Sequence, residues 1–279
     1  MRRSFVILMG LLSLLLVFNL TALFGWGENA ERLITNKAVD TLPNEMLPFF
    51  QANRQYLVQH VTDAEDSAAK TAVDRHGDFI ELDHYGAFPF SLLPRVYTAA
   101  VSKYSRRSLE KYGVLPWQIG LYSKKLTDAF QARDWSGAKV DAALLAHYVA
   151  AAHDPFNTTM DNDGHLAGQP GVNERFNTGL VDRYQLFFFV KPNEATFIHD
   201  PTDHAFEMAL TAHSWLENIL LADRRAHEGP TGYTDDYYDR FYAQAGAVLV
   251  SQLSDASTDV GSYWMTAWIN AGRPQLPSK

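Results

Sequence analysis

The chain has 279 residues, 47% of them hydrophobic and 20% charged, with 24 Lys and Arg against 32 Asp and Glu for a formal net charge of −8. That much apolar material excludes disorder as the main state, and the acidic excess argues against packaging nucleic acid, which needs a basic surface to neutralise phosphates. No cysteine is present, which removes disulfide frameworks, thiolate metal sites and a cysteine nucleophile together.

Two arginines, Arg2 and Arg3, precede residues 5–24, which contain no charged residue. A basic start followed by an apolar run marks a secretory signal, and a run of about 20 residues also matches the span of a bilayer-crossing helix. Cleavage before Trp26 would put Gly25 at −1 but bulky Leu23 at −3, so a cleaved signal and a retained anchor both remain open. Residues 1–25 are therefore an address or a membrane anchor. Residues 26–279 form the body, placed outside the cytoplasm: periplasmic, extracellular or tethered to the membrane.

Beyond Trp26 the patterning is helical. Leu33, Ile34, Ala38 and Leu42 make a short stripe that ends at Pro43, and Phe50, Leu57 and Val61 continue at helical spacing. The clearest stripe is Val140, Leu144, His147, Tyr148 and Ala151. Further helices are predicted over 117–130, 179–189, 203–225, 235–253 and 260–271, the last stopping at Gly272 and Pro274. Strand signals are scarce, since Phe79-Ile80-Glu81-Leu82-Asp83 alternates only briefly. The stretch 154–170 is rich in Asn, Asp, Gly and Pro and is predicted to be a long irregular loop, a kind that often carries function. With no internal repeat and no low-complexity linker, a single all-α domain is expected.

Ten histidines and no cysteine mean that any metal site must use His, Asp and Glu. His147 shares a helix face with position 151, where a carboxylate would make half a zinc site. That position is Ala151, so by spacing alone His147 is a core histidine. Asn173 and Asn177 also share one face, but amides are poor zinc ligands. His199 with Asp203, and Asp200 with His204, stand four apart, yet Asp200-Pro201-Thr202-Asp203 better fits a capped helix start. Asp161-Asn162-Asp163-Gly164 imitates the middle of a calcium loop, but Pro170 occupies the place of the required Glu. His60, His84 and His213 are isolated, and Asp235, Asp236 and Asp239 suit a charged first helical turn. Neither a phosphate-cradling Gly loop nor a Gly-x-Ser-x-Gly elbow occurs.

Six segments in order, WGENAERLITNKAVDTLP, QHVTDAED, DFIELDHYG, LAHYVAAAHDPFNTT, GVNERFN and YWMTAWINAGRP, resemble the zinc-dependent phospholipase C / P1 nuclease family from Trp26 to about Asn270. The resemblance implies a multi-helix domain of phospholipase C/P1 nuclease type whose three zinc ions hydrolyse phosphodiesters in lipids or nucleic acids. The family's mature N-terminal Trp, which binds metal through its own amine and carbonyl, matches Trp26, and the His five residues later falls on Glu31. The family's next Asp matches Asp63, and its next His falls on Asp78, or on His76 if the loop shifts by two. The helical His matches His147, and the metal-bridging Asp four residues on is Ala151. The loop His is Asn157, and the His and Glu of the following helix are Asn173 and Asn177.

Most ligand positions are thus substituted. The expected remnant is Asp63, Asp78 and His147, one imidazole with two carboxylates, holding at most one or two zinc ions. Asp63 would also position the attacking water, whose pKa a bound zinc lowers to about 7. His76, His153 and His165 are possible replacement ligands. Two functional expectations follow. One is a metal-dependent phosphodiesterase scaffold with reduced or lost activity toward phospholipid or nucleic acid, associated with the membrane through its N-terminal segment. The other is a pseudoenzyme that keeps the fold for binding or assembly.

Overall fold

A computed structural model describes residues 25–65, 76–229 and 232–278. The expected signal or anchor, residues 1–24, lies outside them. Among the described residues there are helices, 3-10 turns and loops, and no strand.

Capping and apolar spacing explain where the helices begin and which of them are central. Asp134 opens α6 (Trp135–Ala152) by accepting the Gly137 N–H at 3.0 Å. The second half of α6 is buried on every side, from Leu145 through Ala152. A helix that is apolar all round belongs in the middle of a fold, and its alanines let neighbours approach closely. Around it pack α1 (Glu28–Ala38), α2 (Leu47–His60) and α5 (Leu115–Ala132), together with α9 (Pro201–His213) and α11 (Asp235–Asn270). Two short helices, α3 (Tyr97–Tyr104) and α4 (Arg106–Tyr112), precede α5, and α10 (Leu216–Ala226) packs on α11. Between α6 and α9 the chain passes through the 3-10 turn Pro155–Thr158, α7 (Val172–Glu174), a π-helical turn Arg175–Gly179 and α8 (Leu180–Tyr184).

Several boundaries differ from the sequence expectation. The helix expected over 203–225 is two, α9 and α10, parted at Ser214 and Trp215, where the Ser214 hydroxyl bonds back to Thr211 O at 2.6 Å. Asp200 caps α9, its carboxylate accepting the Thr202 and Asp203 N–H groups at 3.0 Å. The helix expected over 179–189 ends at Tyr184, with a 3-10 turn at Gln185–Phe187. The two helices expected over 235–253 and 260–271 are one, α11, of 36 residues, about 54 Å long.

Within the polar interval of α11 the hydroxyls bond to their own helix. Ser254, Thr258 and Ser262 each donate to the carbonyl four residues back, at 2.7, 3.0 and 2.8 Å. The same oxygens, with Thr266, then accept backbone N–H groups from the extended segment 191–198. Lys191 N bonds to Ser254 at 3.2 Å, Asn193 N to Thr258 at 3.0 Å, Thr196 N to Ser262 at 3.0 Å and Ile198 N to Thr266 at 2.9 Å. A strap without sheet partners is thereby satisfied by a column of hydroxyls spaced one every four residues.

A buried imidazole and an asparagine cluster as candidate functional site

Trp26 starts the body with its indole buried, Nε1 donating to Ala150 O at 2.8 Å near the end of α6. The chain then enters α1 so tightly that a Cβ on Gly27 would lie 2.6 Å from Thr178 Oγ1. This closure sets Glu31, in the first turn of α1, against the middle of α6. Glu31 is buried, and both its carboxylate oxygens lie 3.1 Å from His147 Nδ1.

The other ring nitrogen, His147 Nε2, lies 3.1 Å from Asp78 Oδ1. Asp78 arrives on a segment that runs close to the core because its neighbour is a glycine. A Cβ on Gly77 would sit 2.9 Å from Gln118 Cγ. Burial alone would lower the His147 pKa, but the Glu31 charge, the hydrogen bonds of Asp78 and Glu31 and the Asp78 charge together push it up to about 10. At neutral pH the ring is therefore an imidazolium that donates from both nitrogens to two carboxylates.

One helical turn further along α6 lies the second half of the site. Ala151 is buried, and its carbonyl accepts from Asn157 Nδ2 at 3.2 Å. Asn173 and Asn177, on α7 and the π turn, meet as their i, i+4 spacing implies, Asn177 Nδ2 donating to Asn173 Oδ1 at 2.7 Å. Asn177 Nδ2 also lies 2.8 Å from Asp154 Oδ2 and 3.4 Å from Gly25 O. Asn173 donates to Asn162 O at 2.8 Å. Burial raises the Asp154 pKa to about 7, opposed in part by its bonds from Asn177 and Phe156. A cavity of about 220 Å³ opens beside Asn157, lined by Phe79, Glu81, Phe156, Thr159 and Asn162.

Eight positions that the resemblance aligned with zinc ligands thus occupy one buried region: Trp26, Glu31, Asp78, His147, Ala151, Asn157, Asn173 and Asn177. Asp63, His165 and His76 make other contacts, although the turn carrying Asp63 packs against α6 and α1. Asp63, on the 3-10 turn Val61–Glu65, has a side chain 59% exposed, with Oδ2 2.7 Å from His60 Nδ1. His165 is 72% exposed and 3.4 Å from Asp163. His76 precedes Asp78 by two residues, and its carbonyl accepts the Val114 N–H at 2.9 Å.

His153 belongs to a different polar centre. Its Nε2 lies 2.9 Å from Asp259 Oδ2, and that of His204 lies 2.9 Å from Asp259 Oδ1. Burial would raise the Asp259 pKa, but the hydrogen bonds and charges of the two imidazoles hold it well below the usual carboxylate range. The metal pairings considered around 199–204 do not assemble. Asp200 caps its helix, Asp203 bonds Arg95 at 2.5 Å and His204 faces Asp259.

Among the described residues, no group of three or more His, Cys, Asp and Glu has a geometry able to hold a metal ion. The Glu31–His147–Asp78 triad illustrates why, since its carboxylates address opposite edges of one ring and do not converge on a point. Sequence reasoning missed three partners: Glu31 for His147, Asp154 for Asn177, and Asp259 for the two histidines. Glu31 carried a signal, being a carboxylate on the face of α1 that also bears Ala30, Ile34 and Ala38, all buried. Asp154 stood just before Pro155, and its other oxygen caps the following turn through Phe156 N at 2.9 Å.

No family model matches the chain, and no curated protein sequence does. Among solved structures it is similar to "Alpha Toxin from Clostridium Absonum", with a TM-score of 0.50 and 12% identity, over 85% of this chain and 63% of that one. The chain therefore spans less than two thirds of the toxin's length. At such identity the likeness concerns the fold alone, and that fold is the all-α phospholipase C type in a distant form.

Proposed function

We propose that this protein is an exported pseudoenzyme of the phospholipase C / P1 nuclease type, in which an internal cation and a set of amides stand where relatives hold zinc. The observation that carries this reading is His147. An imidazole ligates metal through a nitrogen lone pair, and here both ring nitrogens are taken up with carboxylates. The residues present fit zinc poorly elsewhere too. Asn177 bonds Asn173 and Asp154 with its Oδ1 buried and unpartnered, Asn157 and Asn173 donate to backbone carbonyls, and Ala151 has no donor atom. Amides also leave the charge of a dication uncompensated.

The positive charge that the acidic residues need is supplied by a proton on His147. A side chain held this way cannot generate a metal hydroxide, so phosphodiester hydrolysis is reduced or lost. The cavity beside Asn157 remains for binding or assembly. Its apolar floor, amide rim and Glu81 carboxylate suit a neutral or zwitterionic ligand better than a polyanion.

The second reading is a phosphodiesterase using one zinc on His147 Nε2 and Asp78, which do stand together. Elemental analysis of the purified protein, followed by a chromogenic phosphodiester assay with and without chelator, separates the two. Well under one zinc per chain and no chelator-sensitive turnover are expected. Near-stoichiometric zinc with turnover that the chelator abolishes would overturn the proposal. Ala151→Asp adds a check on ancestry: restoring the bridging carboxylate should increase zinc affinity measurably if the surrounding helices keep the ancestral spacing.

A further inference from the structure

The 3-10 turn Gln185–Phe187 and the residues after it expose an apolar cluster that no part of the candidate site uses. Leu186, Phe187 and Phe189 are 91%, 77% and 79% exposed. They are not a frayed tail. Phe188 turns inward and stacks on Tyr242 with ring centroids 5.9 Å apart, Tyr184 stacks on the same ring at 4.3 Å, and Val190 is buried. The strap on α11 then fixes the chain from Lys191 onward. Three large apolar side chains are therefore held out in water by a well-anchored backbone, an arrangement that marks an interaction surface.

What covers them is indicated by where the body begins. Gly25, the first described residue, follows the uncharged run 5–24 directly. Its carbonyl lies 3.4 Å from Asn177 Nδ2 in the π turn that leads into α8. Four residues later, Asn29 donates to Asp182 of α8 at 2.8 Å. Asn177 is nine residues before Leu186 along this helical path, about 14 Å at helical rise. The start of the body and the exposed cluster thus stand at the two ends of one short helical path.

We propose that Leu186, Phe187 and Phe189 insert into the lipid bilayer reached by residues 5–24, giving the body a second, fixed point of membrane contact. This rests on the reading of residues 5–24 as a membrane-directed segment. Aromatic side chains favour the interfacial zone of a bilayer, where their rings leave water without reaching the hydrocarbon centre. Arg183 and Lys191 flank the cluster, but Asp182, Asp235 and Asp239 lie close to α8 through Asn29, Arg183 and Tyr184. Headgroup charge therefore contributes little, and apolar insertion drives the contact.

The absence of native cysteine makes the test direct. Full-length Phe187→Cys, labelled with an environment-sensitive fluorophore, is reconstituted into phosphatidylcholine vesicles with and without nitroxide-labelled acyl chains. Lys124→Cys, on the exposed face of α5, is the reference. The expected result is a blue shift and nitroxide quenching at 187, neither at 124, and loss of both at 187 when Leu186→Ser and Phe189→Ser are added. Vesicle-bound protein whose label at 187 behaves as at 124 overturns the insertion while leaving the membrane role of residues 5–24 intact. Protein that fails to float with vesicles overturns both. Self-quenching at 187 that rises with protein concentration in the absence of lipid identifies a second copy as the partner and also overturns insertion.

Discussion

Replacing His147 by Gln tests whether the centre of the fold is held by a proton. In the folded state the ring keeps its proton up to about pH 10, whereas an unfolded histidine releases it near 6.5. Below pH 6.5 both states are protonated, and the stabilisation from the two carboxylates is fully present. Between 6.5 and about 10 only the folded state holds the proton, so stability falls by about 1.4 kcal/mol for each pH unit. Above that window the contribution is gone, for a total of about 5 kcal/mol, the upper end of what is expected when a buried ion pair loses one partner.

Urea denaturation of the wild type at intervals from pH 6 to pH 10 should show that decline. His147→Gln should be less stable at pH 6 by a similar amount and should lack the slope, since it leaves buried Glu31 without a cation at every pH. Nitrogen NMR of the wild-type ring at pH 8 should show both ring nitrogens protonated. An unchanged pH slope in His147→Gln, or a neutral ring at pH 8, would refute the internal-cation argument.

Three other perturbations probe the surrounding structure. Asp154 keeps its proton up to about pH 7 when folded and releases it near 3.8 when unfolded, so its contribution to stability declines as pH rises between those values. Asp154→Asn should remove that decline in denaturation curves collected from pH 4 to pH 7. Asp223 is buried against Arg175 at 3.1 Å, receives the Tyr237 hydroxyl and accepts from Gln169 at 2.5 Å. Asp223→Ala strands the Arg175 guanidinium and should cost about 3–5 kcal/mol in the same assay. Thr266→Val deprives the buried Ile198 N–H of its acceptor and should cost about 1–3 kcal/mol, with faster amide exchange at Ile198.

The helical class was legible because the apolar spacing is regular, and α6 shows why the site was legible in part. Its stripe placed His147 and Ala151 on one inward face, and the i, i+4 pairing of Asn173 and Asn177 is realised as a hydrogen bond. Linear spacing could not show that Glu31, 116 positions from His147, closes on the same ring, because that contact depends on how α1 packs. Asp63 shows a second limit: its place in the order of segments suggested a ligand, and linear order did not show that the local turn sets it against His60. The continuity of α11 was hidden because its hydroxyls look like a helix-breaking interval until their regular repeat is noticed.

That repeat sets an unusual rule for how the strap can change over time. What α11 demands of residues 191, 193, 196 and 198 is an amide proton, whatever side chain accompanies it. Pro192 is harmless between two such positions, but a proline on any of the four would leave a hydroxyl oxygen without the N–H it accepts. Residue identity in the strap can therefore drift widely in related chains while the serine and threonine column stays put. The lasting trace of this contact should be sought on the helix, in an unbroken period of hydroxyl residues, and in the strap only as a pattern of forbidden imino acids.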